Sequence, residues 1–173
     1  MKHYPIVTFI LVFGIIVGCS QTRQPQPASK IAQFELNSMD GIIDQHLVIL
    51  DKAVSSDGNG SIRIEFTEPM TIHLGKYSAS ELDNSRLIYR ARVKSEELRG
   101  KAYLEMLCQF NGQGEFFSRD LQSPVTGTTD WTTEETYFYL KEGENPDIIS
   151  LNLVVEGEGT IWIDDINLLR AEL

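Results

Sequence analysis

The chain has 173 residues, of which 42% are hydrophobic and 23% are charged, and its formal net charge at pH 7 is −10. Such an acidic surface is repelled by nucleic acids and by anionic lipid headgroups, which excludes nucleic-acid binding as a function. Beyond the first thirty residues the composition is that of a globular protein, and about 140 residues make one domain.

The first residues have the three parts of a secretory signal peptide. Lys2 and the amino terminus are positive, residues 6–17 form an apolar run, and small Gly18 precedes Cys19. The apolar run is shorter than the roughly 20 residues that a membrane-spanning helix needs. Residues 1–18 are therefore predicted to be a targeting segment. An uncleaved anchor and cleavage without lipidation are the alternatives.

The sequence around Cys19, Ile-Val-Gly-Cys-Ser, resembles the lipobox of bacterial lipoproteins. The resemblance implies cleavage before Cys19, acylation of its thiol and export of the protein. Several acyl chains make a stable anchor, whereas a single chain gives marginal binding. Because Ser20 and not Asp follows the cysteine, the resemblance implies the outer membrane in an envelope with two membranes. In an envelope with one membrane it implies the outer face of that membrane.

Residues 19–30 are polar and contain two prolines, which predicts a flexible tether between the lipid and a domain at 31–171. The chain has two cysteines, Cys19 and Cys108. If Cys19 carries lipid, Cys108 has no partner within the chain. It is then either a buried free thiol or part of an intermolecular link, and its position on the apolar face of a predicted strand favours burial.

From Ile62 onward nearly every apolar segment alternates with period two, which is typical of half-buried strands. Turn-forming residues separate several of these segments, as at 57–60 (DGNG) and 156–159 (EGEG). A short helix is predicted near Ser80–Asn84. Strands are predicted at 62–66, 70–74, 87–93, 102–110, 115–121, 134–140, 148–155 and 160–169. Eight or so antiparallel strands predict an all-β fold, either a β-sandwich or a jelly roll.

Two segments of the second half, 127–133 (GTTDWTT) and 159–168 (GTIWIDDINL), resemble the galactose-binding-like jelly rolls. Many carbohydrate-binding modules belong to that group. The resemblance implies that Trp131 is a packing residue at the start of a strand. It also places Asp164 and Asp165 where related modules hold a structural calcium ion, a cation that takes oxygen ligands. The alternative is that one aspartate caps a turn or faces water while the other accepts backbone hydrogen bonds.

A candidate ligand surface lies on the polar faces of several predicted strands. Aromatic rings stack on the C–H faces of sugars, and planar polar groups pair with sugar hydroxyls. If the strands share a sheet, these groups form one surface for a carbohydrate. The alternative is that they stabilise the sheet through cross-strand pairs. The candidate residues are Arg90, Arg92, Tyr103, Glu105, Gln109, Tyr137, Tyr139 and Asn152.

Patterns for catalysis are weak. His46 and His73 are too isolated for a zinc site, and no placed partner activates Cys108 as a nucleophile. A calcium-loop spacing that begins at Asp57 has Ile62 where the loop needs glycine. We therefore expect an exported, lipid-anchored and non-enzymatic binding module with carbohydrate as its ligand class and no cofactor beyond the calcium. The alternative is a structural or protein-interaction lipoprotein of the cell envelope with no small-molecule ligand.

Overall fold

The computed structural model describes residues 27–78 and 80–173, and most of these residues lie in antiparallel β-strands. Helical structure in the described part is a single 3₁₀ turn at Gln45–Leu47, and no helix there is long and apolar enough to cross a membrane. The prediction of an all-β antiparallel sandwich is confirmed. The strands are β1 (Ser29–Phe34), β2 (Ile49–Asp51), β3 (Ser61–Phe66), β4 (Met70–Ser78), β5 (Ser85–Phe110), β6 (Gly114–Arg119), β7 (Val125–Leu140) and β8 (Ile148–Glu172).

Two very long strands, β5 and β8, form the centre of the molecule. They pair with each other from Ser85 opposite Glu172 to Gln109 opposite Ile148. The sequence predicted four separate strands in these segments. The first half of β5 and the second half of β8 form a first sheet with β1, β3 and β7. The other halves form a second sheet with β4 and β6.

Glycines on both long strands let the pair bend, so that the two sheets face each other. Gly100 lies opposite Gly157, with φ angles of +140° and +109°. A Cβ atom on Gly100 would lie 1.9 Å from the carbonyl oxygen of Glu156, and one on Gly157 would lie 2.0 Å from that of Arg99. Side chains other than glycine do not fit such contacts, and a positive φ also disfavours them.

The core lies between the two sheets and consists of the apolar positions that alternate along the strands. Leu87, Tyr89 and Ala91 come from the first sheet, and Leu104 and Met106 come from the second. Each large aliphatic side chain contributes about 1.5–3 kcal/mol when it is fully buried. Burial also raises the pKa of Tyr89, whose hydroxyl has no hydrogen-bond partner among the described residues.

The structure also differs from the sequence prediction at Ser80–Asn84 and at the end of the tether. No helix forms at Ser80–Asn84, because Glu81 and Asn84 have φ angles of 58° and 49°, which a right-handed helix does not allow. The Asn145 side chain instead fixes this segment by accepting hydrogen bonds from the backbone of Leu82 and Asp83. The tether was predicted to extend to residue 30, but β1 already begins at Ser29. Residues 1–26, with the signal peptide, Cys19 and most of the tether, lie outside the described residues.

Cys108 gives a prediction about reactivity. Its side chain is completely buried, and burial raises its pKa from 9.0 to about 12. Since the thiolate is the reactive form, we expect no reaction with a thiol reagent such as DTNB at pH 8 in the folded protein. The Cys19→Ser variant isolates this thiol, and urea should release one equivalent. Stoichiometric labelling without urea would contradict the prediction.

Candidate functional site

The eight residues predicted to form a ligand surface divide between the two outer faces of the sandwich. Side chains alternate along a strand, so the core positions of β5 leave the residues between them facing outward. Four of the eight lie on the outer face of the first sheet, namely Arg90, Arg92, Tyr137 and Tyr139. The other four lie on the outer face of the second sheet, namely Tyr103, Glu105, Gln109 and Asn152. They do not form one continuous surface, because β5 passes from one sheet into the other.

On the second sheet, three of these residues are buried in contacts with their neighbours. Glu105 is 6% exposed and accepts hydrogen bonds from Asn152 Nδ2 at 2.9 Å and from Arg119 Nε at 2.6 Å. The hydroxyl of Tyr103 donates to Glu156 at 3.0 Å. Burial, followed by this bond, raises the pKa of Tyr103. Such pairs stabilise neighbouring strands and leave little polar surface free for a ligand.

On the first sheet, the two arginines hold β7 in place. Arg90 forms an ion pair with Glu135 of β7. Arg92 donates to the hydroxyl of Thr133 and to the carbonyl oxygen of Trp131, both at 2.8 Å.

Trp131 is half-buried in the interior of β7, not at the start of a strand as the resemblance implied. It contributes its backbone to these contacts and lies outside the buried hydrophobic core.

Exposed aromatic side chains concentrate where β6 and β7 approach each other at the edge of the sandwich. The Ser118 hydroxyl donates to the carbonyl oxygen of Tyr137 at 2.5 Å and lies 2.7 Å from the Thr136 hydroxyl, which joins the two strands. Of the eight large hydrophobic residues that are well exposed in the described part of the chain, five belong to this region. They are Phe116, Phe117, Leu121, Tyr137 and Tyr139.

Two depressions follow this edge, and Tyr139 lines both of them. The first has a volume of about 340 Å³ and is lined mainly by polar side chains of β6, β7 and the loop between them. The second, of about 240 Å³, is lined mainly by aromatic rings. We call the two together the β6–β7 groove. Besides Tyr139, the first is lined by Ser118, Arg119, Asp120, Gln122, Glu135, Thr136 and Tyr137, and the second by Phe110, Gln113, Phe116, Phe138, Lys141 and Glu144.

Several rings of the groove contact their neighbours. The Phe110 ring lies 5.8 Å from that of Phe116, edge to face, and 6.4 Å from that of Phe138. The Tyr137 hydroxyl donates to Glu135, which raises the pKa of the tyrosine together with its partial burial. Tyr139 is 59% exposed and presents the most accessible ring of the groove. The groove thus combines apolar ring surfaces with polar groups, the chemistry that binds sugars.

Comparison with known proteins gives the class of fold. No protein-family model matches the chain, and no curated protein matches it. Among solved structures, a family 16 carbohydrate-binding module has a TM-score of 0.57 at 16% identity, over 76% of this chain and 92% of the other. The CBM22-1 xylan-binding domain of Paenibacillus barcinonensis Xyn10C has a TM-score of 0.59 at 12% identity, over 84% and 97% of the two chains. The fold is that of carbohydrate-binding modules.

A third solved structure matches this chain over only part of its own length. The CBM22-1–GH10 modules of Clostridium thermocellum Xyn10B, complexed with xylohexaose, have a TM-score of 0.60 at 11% identity. The match covers 82% of this chain and 28% of that one. At these identities the comparison establishes the fold alone, and the ligand has to be inferred from the site residues of this chain.

The aspartates of the predicted calcium site face different partners. Asp164 is completely buried, and it accepts hydrogen bonds from the backbone and hydroxyl of Ser56 at 2.8 and 2.7 Å. Burial raises the pKa of Asp164, although its hydrogen bonds act in the opposite direction. Asp165 has a φ of 45° and accepts from Asn167 Nδ2 at 2.9 Å. Within residues 27–78 and 80–173, no cluster of three His, Cys, Asp or Glu residues could hold a metal ion. Calcium at this site stays a prediction.

The sequence reasoning missed most of the β6–β7 groove. It predicted a strand at 115–121 but assigned no role to Phe116 or Arg119, which line the groove, or to Phe117, whose ring contacts Arg119. Two consecutive phenylalanines in a short strand give a signal, because one of the two must face outward whichever face is buried. Recognition that β6 lies beside β7 needs the three-dimensional fold.

Proposed function

We propose that this protein is a non-enzymatic carbohydrate-binding module that binds its ligand in the β6–β7 groove. The observation that carries the proposal is the exposed ring of Tyr139, which lines both depressions among hydrogen-bonding side chains. Sugars need this pairing of an apolar ring face with donors and acceptors. The fold supports the proposal, since the solved structures described above as similar to this chain contain carbohydrate-binding modules.

A larger depression fits a sugar less well. It has a volume of about 740 Å³ and lies near the bend of the long strands. Five glutamates line it, and its one aromatic residue, Phe66, is only 5% exposed. It therefore offers no free ring face on which a sugar could stack.

The substitution Tyr139→Ala tests the proposal. We expect the affinity for the glycan that the wild type selects from a broad array to fall at least tenfold, which corresponds to about 1.4 kcal/mol. Loss of a well-placed aromatic contact has effects of this size at binding sites. Isothermal titration calorimetry measures the change.

Two further variants serve as controls. Tyr139→Phe keeps the ring and should retain most of the affinity. Ile49→Ala removes an exposed side chain that is 53% accessible on β2, outside the groove, and should bind as the wild type does. If the wild type bound no glycan of the array, the protein-interaction alternative would replace the proposal.

We further propose that the module is exported and attached to a bacterial membrane by lipid on Cys19. The lipobox-like residues 16–20 and the apolar run before them support this location. The Cys19→Ser variant is expected to leave the membrane fraction and appear in the soluble fraction of the same cells. Retention of the variant in the membrane fraction would contradict the lipid anchor.

A further inference from the structure

We infer that β6 pairs antiparallel with β6 of a second copy of this chain, so that the second sheets of the two copies join into one continuous sheet. The contact is centred on Phe117. It goes beyond the proposed function, because it assigns the outer edge of β6 to a protein partner and does not depend on any ligand.

β6 lies at the edge of the second sheet and exposes most of its surface. Among the described residues it pairs with β5 alone, and this pairing contains no register shift. Five of its six residues are well exposed, including Phe116 at 49% and Phe117 at 58%. The backbone N–H and C=O groups along the outer side of such a strand form a template on which another chain can pair.

The other edge strands of the described structure have features that prevent such pairing. β2 has only three residues. β1 and β4 pair with β8 through register shifts, whereas β7 carries Glu134 and Glu135 and pairs with β5 through three register shifts. Short length, an irregular backbone and charged side chains are ways in which proteins protect an edge. β6 contains no lysine, no proline and no register shift, so it is the edge best suited to pairing.

The sequence of β6 favours one register for this contact. Glu115, Phe117 and Arg119 face outward on the second sheet, because opposite residues of antiparallel strands share a face and Glu105 and Gln109 of β5 face outward. When two copies pair around Phe117, Glu115 of each copy lies opposite Arg119 of the other. The two-fold symmetry forms this pair of opposite charges twice, and it brings the two Phe117 rings side by side.

The charges of β6 can make these contacts. Glu115 is exposed and has no hydrogen bond or ion pair among the contacts of the described residues. Arg119 contacts Glu105 of its own chain through Nε and one terminal nitrogen, and its guanidinium has further N–H groups to donate. The net charge of −10 on each copy opposes association. At physiological ionic strength, exposed charges more than about 8 Å apart are largely screened, so the contacts between the paired strands dominate.

Disulfide crosslinking tests the register in the full-length protein that carries Cys19→Ser, in which buried Cys108 is the one native thiol. We expect Phe117→Cys to form a linked dimer in oxidised glutathione, because opposite Cα atoms are about 4.5–5.5 Å apart and a disulfide tolerates up to about 7 Å. Glu115→Cys is the matched control. Its two copies would be offset by four residues, about 14 Å, and should link about tenfold less.

Analytical ultracentrifugation measures the association itself. We expect the Cys19→Ser protein to form dimers at about 100 µM, since a small interface binds weakly. Glu115→Arg places like charges opposite each other and should raise the dissociation constant about tenfold. Glu68→Arg changes the net charge equally at an exposed position between β3 and β4, and it should dimerise at least as well as the parent.

Three results would overturn the inference. The first is a Cys19→Ser protein that stays monomeric at this concentration. The second is equal crosslinking through positions 115 and 117, which would indicate random collisions. The third is dimerisation that Glu115→Arg leaves unchanged, which would place the interface elsewhere. Each of them leaves the glycan titration of Tyr139→Ala unaffected, so the carbohydrate-binding proposal stands or fails separately.

Discussion

The substitution Gly157→Ala is expected to destabilise the protein by more than about 4 kcal/mol, a loss that few single substitutions reach. The new Cβ atom would lie 2.0 Å from the carbonyl oxygen of Arg99 on the paired strand. The backbones of β5 and β8 would have to separate at the point where the long strands bend. Urea denaturation followed by circular dichroism measures the loss, and a large fraction of unfolded protein at zero urea would be the extreme form of the same result.

Gly58→Ala is the matched control, because Gly58 also has a positive φ, +92°, but no heavy atom outside Gly58 and its two chain neighbours lies within 4 Å of the Cβ position. The loss of stability in Gly58→Ala should come from the backbone conformation alone and amount to about 1 kcal/mol. The difference between the two variants therefore measures the close approach of the strands. Equal losses would show that the conformation of glycine, and not the contact between β5 and β8, governs the bend.

The substitution Arg119→Leu is expected to destabilise the protein by about 2–3 kcal/mol. Glu105 is 6% exposed, and without Arg119 its charge keeps only the Asn152 side chain as a partner among the contacts described. Loss of one partner of a buried ion pair costs up to about 3–5 kcal/mol, and the partial exposure of Arg119 reduces that figure. The double variant Glu105→Gln/Arg119→Leu removes the uncompensated charge and should recover part of the loss.

Arg99→Leu is the control for the Arg119 prediction. Arg99 also pairs with a glutamate, Glu158, at 3.0 Å, but its side chain is 81% exposed. Exposed pairs contribute less than about 1 kcal/mol, so this variant should stay close to the wild type in urea. Similar losses for the two arginine variants would mean that burial of Glu105 does not determine the effect.

The alternation of apolar residues predicted the core well. Leu104, Met106 and Cys108 share one face of a predicted strand and are all buried in the structure. Alternation could not reveal that this strand continues from the preceding predicted strand, because a glycine-rich segment at a bend has the same composition as a turn. Gly157 and Gly159 were assigned to a turn, yet both lie inside the continuous strand β8.

The same limit applies to the candidate site. Tyr137 and Tyr139 were identified because they alternate with buried positions on their own strand, and this local pattern is visible in sequence. Phe116 and Arg119 join them in space through the contact of β6 with β7, which depends on pairings between distant parts of the chain. The eight predicted residues divide between two faces because β5 runs through both sheets, which is also a consequence of pairings between distant parts of the chain.

The two long strands also determine how the molecule unfolds. Each sheet contains one half of β5 and one half of β8, so neither sheet is a separable folding unit. Both sheets contribute side chains to one core cluster, so opening of one sheet exposes core residues of the other. This favours a single cooperative transition and slow amide hydrogen exchange along both strands. Most contacts join residues far apart in the chain, so folding is expected to take milliseconds to seconds, as in other all-β domains.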